Sequence, residues 1–214
     1  MSIEYDLKKK LDEIIDNAFQ DIEQEKREKL KWFRLNIQLK NKKSYHGFYN
    51  VENHTIVINN ISDEGNNILT LLHEVAHHID WCIYGKTGHQ KEFYEVYEKL
   101  LYSALDLDMV SLYQLKHAKQ RSTDYTKVQK ILDSYKPHKV KGRKKTYLIQ
   151  ISNAYEQKEI LKENRYHWNK VSKTWDKKAE SEEERDKEKD WLKELCIDDE
   201  NILIKDNTKI NFSL

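Results

Sequence analysis

The sequence predicts an α+β fold built in two parts. Three observations carry this expectation: long stretches with apolar residues at helical period, a short block of strands between residues 33 and 59 that opens with period-two alternation over Phe33 to Leu39, and an abrupt change of texture near residue 136. Five glycines and one proline in 214 residues leave few tight turns, which favours helix over an all-β arrangement. The length allows one domain with attachments or two small ones, and it suffices to bury a core.

Taken in order, residues 3 to 30 place Leu7, Leu11, Ile14, Ile15, Phe19 and Ile22 at helical spacing, so one or two helices are expected to cover a sheet. Phe33 to Leu39 alternates as a half-buried strand does. Asn41-Lys42-Lys43 then turns the chain into a strand at Tyr45 to Asn50, and Glu52-Asn53 turns it into a third at Thr55 to Asn59. Ser62-Asp63-Glu64 offers capping groups and acids at the positive end of the next helix. That helix carries Ile68, Leu69, Leu72, Val75, Ala76 and Ile79 as one apolar stripe, has no Gly or Pro between Asn66 and Tyr84, and meets Gly85 where a stop is expected. The turn-rich Gly85-Lys86-Thr87-Gly88 leads into a second amphipathic helix with Phe93, Val96, Tyr97, Leu100 and Leu101. Helical period continues through Leu105 to Leu115 and again through Val128, Ile131 and Leu132, closing a first domain over residues 1–135.

Residues 136–146 hold the only proline, a glycine and six positive charges with no acid, the composition of a linker or basic arm. Residues 147–214 read as a small α+β module. Its expected elements are a strand at Tyr147 to Ile151, a helix at Ala154 to Asn164, two short strands within Tyr166 to Trp175, and a charged helix at Ala179 to Leu195. A closing hairpin would pair Ile202-Leu203-Ile204 with Lys209 to Phe212 around Asp206-Asn207.

The chemistry concentrates in His73-Glu74-Val75-Ala76-His77, an H-E-x-x-H pattern on the central helix. The i, i+4 spacing sets both imidazoles on one face a turn apart, aimed at a common point, as a zinc site requires. A catalytic zinc usually has three protein ligands and keeps one position for water. His89, just past the loop and at the start of the next helix, is the leading third ligand, because a reversal between two packed helices returns it to the open side of the pair. Glu95 and Glu98 are its rivals. Glu74, one residue after the first ligand, stands beside the open position as a base rather than a ligand. His78 lies about 100° round the helix from His77 and points elsewhere. Asp80 is a candidate to hold the second ring nitrogen of a ligand histidine, with a solvent-facing acid as the alternative. His46 and His54 read as strand-end or turn residues, and Cys82 as packing.

The order H-E-x-x-H, a loop of about ten residues, then Gly88-His89 and Phe93 opening a helix resembles the SprT-like zinc metallopeptidases, the Spartan-related family. The resemblance covers about residues 30 to 105, with Tyr45-His46-Gly47-Phe48-Tyr49 and Thr55-Ile56-Val57-Ile58-Asn59 placed like the short sheet of that family. It implies a minimal zincin-type domain, with His73, His77 and His89 as zinc ligands and Glu74 as the catalytic glutamate. It also implies an endopeptidase acting on proteins bound or crosslinked to DNA. The C-x-x-C zinc ribbon that many members add is missing, since Cys82 and Cys196 stand far apart in the chain. Residues 147 to 177 resemble more weakly a module appended to phage and plasmid DNA-processing proteins, through Leu161, Lys162, Trp168, Lys173 and Trp175, with Arg165 near the usual glycine.

Charge bounds the partners. Lys+Arg of 38 against Asp+Glu of 37 argues against a wholly cationic nucleic-acid binder, so any basic surface is local. Lys139, Lys141, Arg143, Lys144 and Lys145 supply phosphate-neutralising charge, and Trp168 and Trp175 supply rings able to stack on bases, unless these tryptophans are the core of their module. No apolar run approaches bilayer length and the N-terminus lacks a signal-peptide core, so a cytosolic protein with reduced thiols and no membrane partner is expected. The rival to a zinc endopeptidase is a non-catalytic, zinc-stabilised phage or mobile-element factor that engages nucleic acid or a host protein.

Overall fold

A computed structural model describes residues 3–38, 46–59, 63–118, 124–138, 145–210 and 212. The chain is mixed α+β, with eight α-helices and two small sheets among these residues. It divides into two units, Met1–Val140 with Ile210–Ser213, and Lys141–Lys209 with Leu214.

In the first unit, α1 (Ile3–Ala18) buries Leu7, Leu11, Ile14 and Ile15 completely, the three-and-four spacing of one helical face. A short α2 (Gln24–Lys29) follows, and then a sheet of β1 (Arg34–Gln38), β2 (Gly47–Asn50) and β3 (Thr55–Asn59). The sheet order is β1-β3-β2, with β3 parallel to β1 and antiparallel to β2. Although β1 and β2 are successive in the chain, they are not neighbours. The reason lies in Ile56-Val57-Ile58, an unbroken buried apolar run that suits the central strand, whereas β1 and β2 are only partly covered. The turn expected at Asn41-Lys42-Lys43 lies outside the described residues.

The sheet rests against α3 (Glu64–Tyr84), which packs in turn on α4 (Lys91–Asp106); α5 (Leu112–Lys116) and α6 (Tyr125–Ser134) complete the unit. Ile68, Leu72, Val75 and Ile79 from α3 share one core with Phe93, Tyr97, Leu100 and Leu101 from α4. Each such buried side chain stabilises the fold by about 1.5–3 kcal/mol before entropy is counted. Gly47 permits the close approach of β2 to α3, because a Cβ there would lie 2.8 Å from Thr70 Cγ2 and 2.9 Å from the Val57 carbonyl oxygen.

The second unit runs β4 (Tyr147–Ile151), α7 (Lys158–Glu163), β5 (His167–Asn169), β6 (Thr174–Ala179), α8 (Glu182–Glu194) and β7 (Ile202–Asp206). Its sheet order β5-β6-β4-β7, antiparallel throughout, is the split β-α-β-β-α-β arrangement. Tyr147, Ile149 and Ile151 alternate onto the face that packs with Leu161, Tyr166, Trp175, Ala179 and Leu192. Among the described residues the expected closing hairpin is not found. β7 pairs over its whole length with β4, while Ile210 and Phe212 bury in the larger core of the first unit, where the Ile210 N–H donates to the Met109 carbonyl at 2.8 Å. Among the described residues no helix is long and apolar enough to cross a membrane.

Candidate metal centre

The site is set by the two ends of α3. At its start the Asp63 carboxylate accepts from the Asn66 N–H at 3.0 Å, satisfying one of the orphan donors of the first turn. At its end Gly85 takes a left-handed conformation, φ 67°, and its N–H donates to the Trp81 carbonyl at 2.8 Å. The chain leaves α3 there, crosses Lys86 to Gln90, and enters α4 alongside the helix it has left.

His73 and His77 project from the face of α3 next to α4, and His89 meets them from the loop. The three Nε2 atoms form a nearly equilateral triangle: 3.2 Å from His77 to His73, 3.2 Å from His77 to His89 and 3.1 Å from His89 to His73. Ligand nitrogens about 2.0–2.1 Å from a tetrahedral zinc are themselves roughly 3.3 Å apart, so the triangle has the size such a cation needs. Its electronic character fits as well. The second nitrogen of His89, Nδ1, lies 3.2 Å from the Asp124 carboxylate, on the side of the ring away from the triangle. His77 Nδ1 lies 2.8 Å from Thr87 Oγ1. Burial pushes His73 down to about 4 and His77 down to about 3, each lowered further by neighbouring imidazoles and opposed by Asp124, so both rings are neutral donors. Phe93, fully buried, packs 4.4–5.1 Å from all three rings and forms the floor of the site. No other cluster among the described residues brings three His, Cys, Asp or Glu side chains together in this way.

Glu74 is 7% exposed. Burial pushes its carboxyl up to about 7, while the Tyr49 N–H of edge strand β2 pulls the other way. No ion pair engages it among the described residues. The rivals for third ligand are occupied elsewhere: Glu95 pairs with Lys91 at 3.3 Å, and Glu98 faces the Tyr102 hydroxyl. The buried face of α4 belongs to Phe93, Val96, Tyr97 and Leu100, which turns both glutamates away.

Asp80 does not hold a ligand ring; it is buried and lines a pocket with Tyr84, Lys86, Thr87 and Gln90. The groups that do meet the second ring nitrogens are Thr87 and Asp124, and the Tyr94 hydroxyl donates to Asp124 at 2.5 Å. His54 pairs with the Tyr49 hydroxyl at 2.7 Å, and neither it nor His46 joins the triad. Cys82 and Cys196 are free.

Of the residues considered for nucleic acid, Lys139, Lys141, Arg143 and Lys144 lie outside the described residues, and Lys145 is exposed. Trp175 is 7% exposed in the core of the second unit, so it has no free face for a base, contrary to the stacking role expected of it. Its cross-strand partner Trp168 packs against it at 5.3 Å and remains 48% exposed.

Comparison with known proteins adds one finding. Residues 15–111 match the model of the SprT-like family, a span that contains His73, Glu74, His77 and His89 and ends before Asp124. That part of the chain is similar to the SprT-like family, in agreement with the resemblance read from the motif. No curated protein and no solved structure matches the chain.

Proposed function

We propose that the SprT-like region, within residues 1–135, is a minimal zincin-type zinc endopeptidase. The observation that carries the proposal is the convergence of three imidazole nitrogens, with a buried carboxylate one residue along the helix from the first of them. His73, His77 and His89 would hold Zn²⁺, which supplies Lewis acidity that makes water nucleophilic near neutral pH and polarises a peptide carbonyl. Glu74 takes one proton from the attacking water as the new C–O bond forms, and passes it to the amine nitrogen as the C–N bond breaks. The Tyr49 N–H holds the Glu74 carboxylate in place for both transfers. The hydrophobic wall of Phe93 and Tyr97 excludes bulk water from behind the rings, so that protonation of the imidazoles does not compete.

Glu74→Gln keeps the shape and removes the base. It retains zinc and lowers casein cleavage by about 100-fold or more, the contribution of a positioned general base. Cleavage at the wild-type rate removes Glu74 from the mechanism. The substrate class follows the resemblance: proteins bound to or crosslinked with DNA. Cleavage of a DNA-bound protein that is faster than that of the same protein free, and that stops when zinc is chelated, supports this class. Equal rates on both argue for an endopeptidase indifferent to DNA.

A further inference from the structure

The family match ends at residue 111, yet the third histidine is met by a side chain beyond it. We infer that Asp124, oriented by Tyr94, is the positioning residue of His89, so that the metal centre extends onto the start of α6. The inference rests on reading the triad as a metal centre.

The three histidines are not held alike. His73 and His77 ride on a helix packed on both sides, whereas His89 sits in the loop before α4 with its side chain 44% exposed. An exposed imidazole with free rotamers loses conformational entropy whenever it must present one nitrogen in one direction. A buried acceptor on the opposite nitrogen removes that freedom before any metal arrives and fixes the tautomer as well. Asp124 has the required properties: its side chain is 12% exposed and Oδ2 lies 3.2 Å from His89 Nδ1.

Both oxygens of the Asp124 carboxylate face side chains from outside α6. Asp124 stands at the start of α6 with helical backbone angles, φ −88° and ψ −2°, and its side chain accepts no N–H of the first turn. One oxygen faces His89 and the other receives the Tyr94 hydroxyl at 2.5 Å. Tyr94 comes from α4 and its ring is covered by the Lys127 ammonium of α6, 4.1 Å from the ring centroid. Through Tyr94, α4 thus reaches the carboxylate that stands at the start of α6.

Zinc affinity decides the matter independently of catalysis. Chelator competition on the full-length chain, together with thermal midpoints of the metal-free proteins, separates positioning from folding. Asp124→Asn, which conserves shape, lowers zinc affinity by about 10–100-fold, the usual cost of losing a partner behind a ligand imidazole, and leaves the metal-free midpoint unchanged. Asp124→Glu recovers part of the affinity, and Tyr94→Phe gives a smaller loss. Asp133→Ala, at an exposed position on α6 where the carboxylate pairs with Lys116, changes nothing. Cobalt substituted into Asp124→Asn shows visible bands shifted from those of the wild type. Wild-type affinity in Asp124→Asn overturns the inference. So does a lowered metal-free midpoint with unchanged affinity, which would make Asp124 only a tie between α4 and α6. If zinc binding weakens as stated but no protein is cleaved, the inference stands and the peptidase reading falls. A wild-type chain that retains no zinc overturns both.

Discussion

His77 and His78 are adjacent in sequence and serve different chemistry. His77 turns its Nε2 into the triad, while His78, about 100° round the helix, is buried and turns its Nδ1 to the Tyr49 hydroxyl at 3.1 Å. The same hydroxyl lies 2.7 Å from His54 Nδ1, so one phenol of edge strand β2 joins α3, through His78, to the β2–β3 turn, through His54. It donates its one proton to one ring and accepts from the other. Tyr49→Phe strands a buried polar nitrogen on His78 and is expected to cost about 1–3 kcal/mol in urea denaturation at neutral pH. Because the Tyr49 N–H also meets Glu74, a shift of β2 carries to the carboxylate. Cleavage therefore falls more than zinc content does. An unchanged denaturation midpoint would show that His78 finds another partner.

At the scale of the element, α3 depends on where it stops. Gly85 has φ 67° and nothing within 4 Å of the position a Cβ would take, so the cost of a side chain there is conformational and not steric. Gly85→Ala should destabilise the chain by about 1–2 kcal/mol. The ending matters to the site because the loop that follows carries both Thr87, against His77, and His89, the third imidazole. Zinc affinity in Gly85→Ala is expected to drop alongside stability, read by the same chelator competition. A loss of stability with full affinity would mean that the loop is held by its contacts rather than by its exit from the helix.

For the molecule as a whole, the two units have separate hydrophobic cores, and the chain returns from the second to complete the first. Phe212 is 3% exposed among first-unit residues. Phe212→Ala therefore removes a buried ring and is expected to cost about 3–5 kcal/mol. Calorimetry identifies the affected unit. Chelation lowers the unfolding transition of whichever unit holds zinc, since a ligand bound only to the native state stabilises it by mass action. Phe212→Ala lowers that same transition and leaves the other in place. A shift of the metal-insensitive transition instead would assign the tail to the wrong core.

What the sequence determined by itself is what repeats at short range. The extent of α3, its ending at Gly85, and the common face of His73 and His77 follow from 3.6 residues per turn, capping groups at Ser62 to Glu64 mark its start, and Thr55 to Asn59 reads as a strand. These features were legible because backbone geometry converts spacing directly into direction. Across the loop the sequence left His89, Glu95 and Glu98 as alternatives, and only the packing of α4 on α3 turned the glutamates outward and the imidazole in. The tertiary structure alone decided the strand order β1-β3-β2, the burial of Trp175, the passage of Ile210 and Phe212 into the first core, and the meeting of Thr87, Tyr94 and Asp124 with the histidines. Those contacts join residues far apart in the chain and follow no period. They are fixed by the sum of many small packing terms over the whole unit, which no local pattern records.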